Sequence, residues 1–373
     1  FNELLQKKSE NNLKSLNFFK DVKTDIQNNN ENETKIITIN VEEKPTGEIM
    51  AGAGFGTSGT TTTFGVKENN YLGSGVSLDA KLNLSEESIK GKMSLNNPNF
   101  NNSNKSIYTN IQSSETDRLT DFGYKTNKTG FTLGTEFEYF DDFFLGMGVN
   151  SYYESIKTDS TASSQQKKLK GNYFDNFLSL NFDYDKRNQK FQTTQGFRNY
   201  FATDLPIVSE TNTLSNTFII SSYIEYIDNH VLKSSFYFKN SNSISGDNIK
   251  LSERLYLPSN RLRGFESGKI GPKDGNDFIG GNYISSLNFS SDIPKLLENS
   301  QTTDLKIFLD IANVWGVDYD ASLEKSDDIK SAVGIGLDWF SPIGPMNFTL
   351  SQHLSKGSND VTESFRFNLG TTF

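Results

Sequence analysis

Leu305-Lys306-Ile307-Phe308-Leu309-Asp310-Ile311-Ala312 sets Leu305, Ile307, Leu309 and Ile311 against Lys306, Phe308, Asp310 and Ala312. Residues two apart share a face of an extended strand, so one face here is apolar and the other carries a lysine and an aspartate. The same period recurs along the chain. Val76, Leu78, Ala80, Leu82 and Leu84 alternate with Ser77, Asp79, Lys81 and Asn83. Phe131, Leu133, Phe137 and Tyr139 alternate with Thr132, Gly134, Glu136 and Glu138. Leu178, Leu180, Phe182 and Tyr184, then Val333, Ile335, Leu337 and Trp339, and finally Phe365, Phe367, Leu369 and Phe373 repeat the pattern. About sixteen such segments follow Gly47, most near ten residues long, divided by Asn/Gly/Ser/Asp turns and interrupted by no convincing helix.

Two architectures produce strands of period two. A sandwich buries its apolar faces against each other, whereas a membrane barrel turns them to lipid and keeps the polar faces for a lumen. Sandwich strands average about five or six residues, while a tilted span of a bilayer needs about nine to eleven. Length, an even strand number and the terminal aromatic favour the barrel; a sandwich or propeller stays open on pattern alone. The expected fold is all-β: a 16-stranded antiparallel transmembrane β-barrel preceded by a truncated α+β module. A cation facing lipid at mid-depth costs about 2–4 kcal/mol, so Lys81, Lys306 and Arg366 are expected in the lumen, with Tyr71, Tyr139 and Phe140 in interfacial girdles.

Composition agrees. A net charge of -9 offers no basic patch for nucleic acid, and no cysteine is present for a disulfide or thiolate metal site. Mean hydropathy is -0.56, and no apolar run approaches the length of a membrane helix. Thirty Phe and fifteen Tyr are many for so polar a chain. The chain opens at Phe1 with neither Met nor signal peptide, the mark of a processed or excised piece.

Residues 1–46 differ from the remainder. Leu13 and Leu16 stand at helical spacing between Lys8 and Asn17, and two strands are expected at Val22–Gln27 and Lys35–Glu43. In the second, Ile37, Ile39 and Val41 should form one buried face. Helix plus hairpin is too little to fold alone, so 1–46 reads as the end of a small module and 47–373 as the barrel, with the boundary at Pro45-Thr46-Gly47.

One long interruption stands out. About 40 residues separate two strands around Arg261-Leu262-Arg263-Gly264-Phe265-Glu266-Ser267-Gly268. Two arginines, an aromatic and spaced glycines suit a packed latch better than a free linker.

Loop, barrel and partial module together resemble the outer-membrane protein assembly factors of the BamA type, a family in which periplasmic POTRA modules precede a 16-stranded barrel. The likeness runs through Leu13 to Val22 and Val41 to Gly47, through Asn69 to Gly75, Asn97 to Phe100 and Asp185 to Asn188 with Phe191, Thr193 and Gly196. It continues through Leu262-Arg263-Gly264-Phe265, Trp339 to Pro345 and the ending Phe365 to Phe373. Each motif is weak alone; their order is what carries weight. The resemblance implies that 1–46 is the end of the last POTRA module and that the sixth loop folds into the lumen, with Arg263, Gly264 and Phe265 as its signature and Arg263 meeting acidic groups on the wall. Asp310 stands at one such position. The second is Asn288, an amide that can accept a hydrogen bond without charge; Asp338 is another candidate. The plainer reading is that Arg263 satisfies lumen polarity only.

A barrel closes by pairing its first strand, about Ile49–Gly56, with its last, about Glu363–Thr372. Gly52, Gly54 and Gly56 on one side, and Gly370 just ahead of Phe373 on the other, predict a weak lateral seam; the alternative is that glycines fit a crowded lumen. An opened seam offers unpaired backbone to an incoming strand. The family then implies an insertase in the bacterial outer membrane, its POTRA side in the periplasm. Its partners would be unfolded outer-membrane β-barrel proteins, accessory lipoproteins reached through POTRA modules, and outer-membrane lipid. A POTRA-barrel polypeptide transporter, of the two-partner secretion or translocation and assembly module type, is the alternative. No enzyme, cofactor or metal is expected: Asp183 with Asp185 and Glu136 with Glu138 recur at strand spacing without a nucleophile, and His230 and His353 are isolated.

Overall fold

The computed structural model describes the chain except residues 1, 4, 5, 7, 8, 11, 12, 15–17, 30–33, 58, 191–192, 228–229, 294–302, 320–322, 324–327, 342–343 and 371–373. Lys8, Leu16 and Phe373, singled out above, lie outside the described residues. Of the expected first helix, Ser9, Glu10, Leu13 and Lys14 are helical.

β1 (Phe19–Asn29) and β2 (Thr34–Glu43) form a separate two-stranded sheet in which Val22 faces Val41. The expected buried face of β2 is a correction. Ile37, Ile39 and Val41 are each about 45% exposed, and Val22 of β1 is the buried apolar residue of the hairpin. A two-stranded ribbon has nothing to bury an apolar row against unless another layer covers it.

Sixteen strands then close a barrel, each antiparallel to its neighbours. They are β3 (Gly47–Gly56), β4 (Gly59–Tyr71), β5 (Val76–Ser85), β6 (Ser88–Asn97), β7 (Lys105–Arg118), β8 (Tyr124–Phe140), β9 (Phe143–Thr158), β10 (Gly171–Asp185), β11 (Gly196–Ser209), β12 (Thr213–Ile227) and β13 (His230–Ser243). After the long loop 244–282, which holds the two-residue ladder of β14 (Lys273–Asp274) and β15 (Asp277–Phe278), come β16 (Tyr283–Asp292), β17 (Thr303–Trp315), β18 (Lys330–Ser341), β19 (Gly344–Ser355) and β20 (Phe365–Gly370). β7 to β13 run 14–17 residues, whereas β16 to β19 and β3 to β6 run 10–13, so the wall is tallest opposite the joint of β20 with β3.

Alternation assigns the faces. In β17, Phe308, Asp310, Ala312 and Val314 point inward and are buried, while Ile307 is 48% exposed on the outside. Phe64, Leu82, Ile111, Leu133, Val149, Phe236 and Val333 are likewise outward and exposed. Aromatics collect at the end of the barrel that carries the shorter turns. Tyr139 and Phe140 lie 4.4 Å apart between ring centroids, and Phe143, Tyr184 and Phe197 continue the string at 6.2 and 5.6 Å. That is the girdle position of a membrane barrel. Tyr71 is exposed at the same end. The opposite end carries the long loops.

Candidate functional site: the inner loop and the seam

The loop 244–282 turns into the lumen because it is apolar where a surface loop would be polar. Leu255, Leu257, Leu262, Phe265 and Ile270 are buried against Ile284, Ala312, Val314 and Ala332 of β16 to β18. Each such side chain contributes about 1.5–3 kcal/mol when fully buried. Nearer the long-loop end, Lys250 is fully buried among Asp175, Glu154 at 3.4 Å and Glu253 at 3.2 Å. Burial raises the Glu253 carboxyl above its usual range, and Lys250 opposes the shift. Arg254 reaches Asp318 and donates to Asn282 Oδ1 at 3.0 Å.

At the loop's turning point the Arg263 guanidinium meets Asp310 in two parallel bonds, Nε to Oδ2 at 2.7 Å and an Nη to Oδ1 at 2.8 Å; the Arg263 backbone N–H adds a third at 3.0 Å. The guanidinium lies 3.5 Å from the ring centroid of Phe308, two residues along the same inward face. Pairing and stacking together fix the plane of the fork, which a lysine cannot reproduce. Gly264 follows with φ of +92°, and a Cβ there would sit 3.1 Å from Ala332 Cβ and 3.2 Å from Ser351 Oγ. Phe265 is 2% exposed and bridges to Thr362, so the loop runs beside residues 360–363.

Asn288 has a different part from the one expected. Its amide does not accept from Arg263; it donates, to Asp310 Oδ1 at 2.8 Å and to the Arg261 carbonyl at 2.7 Å, while its own oxygen accepts from Ser286 Oγ at 2.9 Å. Asp310 already fills both oxygens with donors, so a donor beside it is the stable neighbour. Asp338 is engaged elsewhere, with Lys306 and Asn347.

Arg366 was expected in the lumen but not as a tether. From β20 it donates to the Phe265 carbonyl at 2.7 Å and the Ser259 carbonyl at 3.1 Å, and it pairs with Glu363 at 2.6 Å. Asp360 and Lys330, both fully buried and 4.0 Å apart, make another link; Asp360 accepts from Gly271 N at 3.2 Å. Backbone acceptors leave no trace in a sequence, so only the inward parity of Arg366 and Lys330 could have flagged these residues.

The seam joins β20 to β3 by three pairs among the described residues, Asn368 with Gly56, Leu369 with Phe55 and Gly370 with Gly54, plus Thr57 N to Phe367 O at 3.1 Å. β19 and β20 share five pairs and every other joint eight or more. Gly54 and Gly56 are buried inward and Gly52 is half-buried, beyond the paired stretch. Gly370 has φ of +92°, and a Cβ there would run into the Ala53 carbonyl, as one on Gly56 would into the Phe367 carbonyl. These two glycines therefore let the edges meet. Outside, Phe55 packs edge-on to Phe367 at 5.7 Å, so the joint has an aromatic contact that the glycines do not suggest.

A closed barrel of sixteen strands, an arginine-tethered loop inside it and one short joint are the features against which known proteins can be compared. The family model of the Omp85 superfamily domain matches residues 70–373. The chain belongs to the Omp85 superfamily. Within the Omp85 superfamily it is similar to the outer membrane protein assembly factor BamA of Neorickettsia risticii, 23% identical over 351 residues, covering 91% of this chain and 46% of that protein. The BamA structure from Haemophilus ducreyi lacking POTRA domains 1–3 has a TM-score of 0.85 at 23% identity, covering 98% of this chain and 78% of that one. CdiB from Escherichia coli shares the fold with a TM-score of 0.61 at 13% identity, covering 95% and 68%. The chain spans about half the length of the curated relatives it matches. An Omp85 barrel with an apolar outer face belongs in the bacterial outer membrane.

Proposed function

We propose that this chain is the barrel part of an outer-membrane insertase, which adds strands of unfolded β-barrel proteins at the β20–β3 seam and releases them into the bilayer. The observation that carries the reading is the joint of three pairs among the described residues, in a wall otherwise joined by five or more. Unpaired backbone groups in hydrocarbon cost several kcal/mol each, so an opened joint templates whatever strand reaches it. No covalent step is needed; strand pairing and apolar burial drive the process. Residues 1–46 would be the end of a POTRA module on the periplasmic side, through which accessory lipoproteins dock. Arg263, Gly264, Phe265, Asp310 and Asn288 would hold the loop as a latch, and Gly52, Gly54, Gly56, Gly370 and Phe373 would form the gate.

Phe55 and Leu369 are direct partners across the seam. Phe55→Cys/Leu369→Cys, oxidised in liposomes, should stop the folding of an added unfolded barrel protein to a protease-resistant form, and reduction should restore it. Full insertion by the locked protein would end the gate reading. The transporter alternative threads a polypeptide through the lumen, which the apolar packing of the loop 244–282 opposes.

A further inference from the structure

Below the turning point of the loop, on the short-turn side, the lumen holds a cavity of about 890 Å³. In a chain of net charge -9, its wall is basic: seven of its lining residues are Lys or Arg and one, Asp292, is acidic. Four of the cations already have carboxylates: Arg263 with Asp310, Arg366 with Glu363, Arg187 with Asp185 and Lys306 with Asp338. Three do not. Arg261 donates to Ser235 Oγ at 2.8 Å and lies 4.9 Å from the Tyr237 ring; Lys233 lies 5.5 Å from the Tyr223 ring; Lys190 is exposed in the turn after β10. None of the three has a carboxylate within 4.0 Å among the described residues.

We propose that this chamber binds an acidic polypeptide segment in extended form, its carboxylates taken by Arg261, Lys233 and Lys190. Three cations with no carboxylate within 4.0 Å, around a cavity of this size, hold a standing positive potential, which an anion relieves. The remaining wall favours a peptide over a lipid, since Ser221, Ser235, Ser290, Asn347 and Asn368 offer hydrogen bonds and no apolar groove for acyl chains. Position supplies the segment. Arg366 and Asn368 belong both to this wall and to β20, so the chamber abuts the seam from within. A barrel strand arriving there presents its lumen-side residues to the chamber. Such strands carry carboxylates at alternate positions, about 6.4–6.8 Å apart, as Glu136 with Glu138 and Asp183 with Asp185 do in this chain. The inference rests on the proposed function for the origin of the segment, but not for the binding itself.

Binding is therefore measured apart from insertion. Fluorescein-labelled (Glu-Thr)4 is titrated by anisotropy against the detergent-solubilised full chain, beside (Gln-Thr)4 and with inorganic phosphate as competitor. The acidic peptide should bind, the amide peptide should bind at least tenfold more weakly, and affinity should fall with added salt, as screening requires. Lys190→Gln/Lys233→Gln should weaken the acidic peptide about tenfold, while the gel mobility shift on heating certifies the fold. Lys190→Glu alone, in an exposed turn, tests the same point should the double variant not fold. Equal binding of both peptides, or affinity untouched by either variant, overturns the assignment. Phosphate displacing the peptide at equal concentration also overturns it, in favour of a general anion site. Insertion without peptide binding would refute the chamber alone; peptide binding without insertion would refute the proposed function alone.

Discussion

Four hydrogen bonds end on the carboxylate of Asp310, three from Arg263 and one from Asn288, and its side chain has no exposed surface. Removing one partner of such a pair strands a buried charge and costs about 3–5 kcal/mol. Arg263→Ala should lower the temperature at which the compact barrel is lost on a semi-native gel, and Arg263→Lys should recover only part of it; equal stability of all three forms would deny the tether. Asn288→Asp replaces a donor with a second carboxylate facing Asp310, so it too should destabilise, despite being the smallest change in shape. Gly264→Ala, at a φ of +92°, should cost about 1–3 kcal/mol. The Arg263–Asp310 meeting was implied by the family resemblance, and strand parity added only that Asp310 faces inward. The donor role of Asn288 was not legible, because an amide's orientation depends on which acceptors surround it.

Strands differ in how firmly they are held. β8 and β9 pair along nearly their whole length, from Tyr124 with Thr158 to Phe140 with Phe143, while β3 keeps a full partner in β4 and, among the described residues, three pairs on its other side. Local opening follows the cheapest set of bonds. Hydrogen exchange in detergent should therefore reach the seam-side amides of β3 and β20 before those of the other barrel strands. Slower exchange there than in β8 would contradict the seam. Period-two patterning showed the barrel strands because lipid and lumen impose opposite chemistry on alternate residues. It failed at β2, where Ile37, Ile39 and Val41 alternate just as cleanly yet remain exposed: alternation reports a two-faced strand, not what covers it.

For the molecule as a whole, the loop converts a tube into a plugged cylinder. Its upper part is pinned by the Lys250 carboxylates and by Arg254, its middle by Arg263 and the apolar packing. In planar bilayers the native chain should pass small, irregular currents. Asp310→Ala, which frees the Arg263 fork, should raise the mean current several-fold, because the loop's middle anchor is lost. An open, steady pore in the native chain would contradict the plug. The interior clusters around Lys250 and Asp360 were beyond sequence reading, since they depend on the path of a loop whose anchors lie in distant strands.

Arg366 grips the carbonyl of Phe265 from inside β20, the very strand that lines one bank of the joint. Parting the banks by swinging β20 would have to wrench the plug with it, whereas β3, among the described residues, has no comparable grapple on the loop and would be left holding β4 alone. In the proposed gate β20 is thus the fixed jamb and β3 the free leaf, the edge that bears Gly52, Gly54 and Gly56.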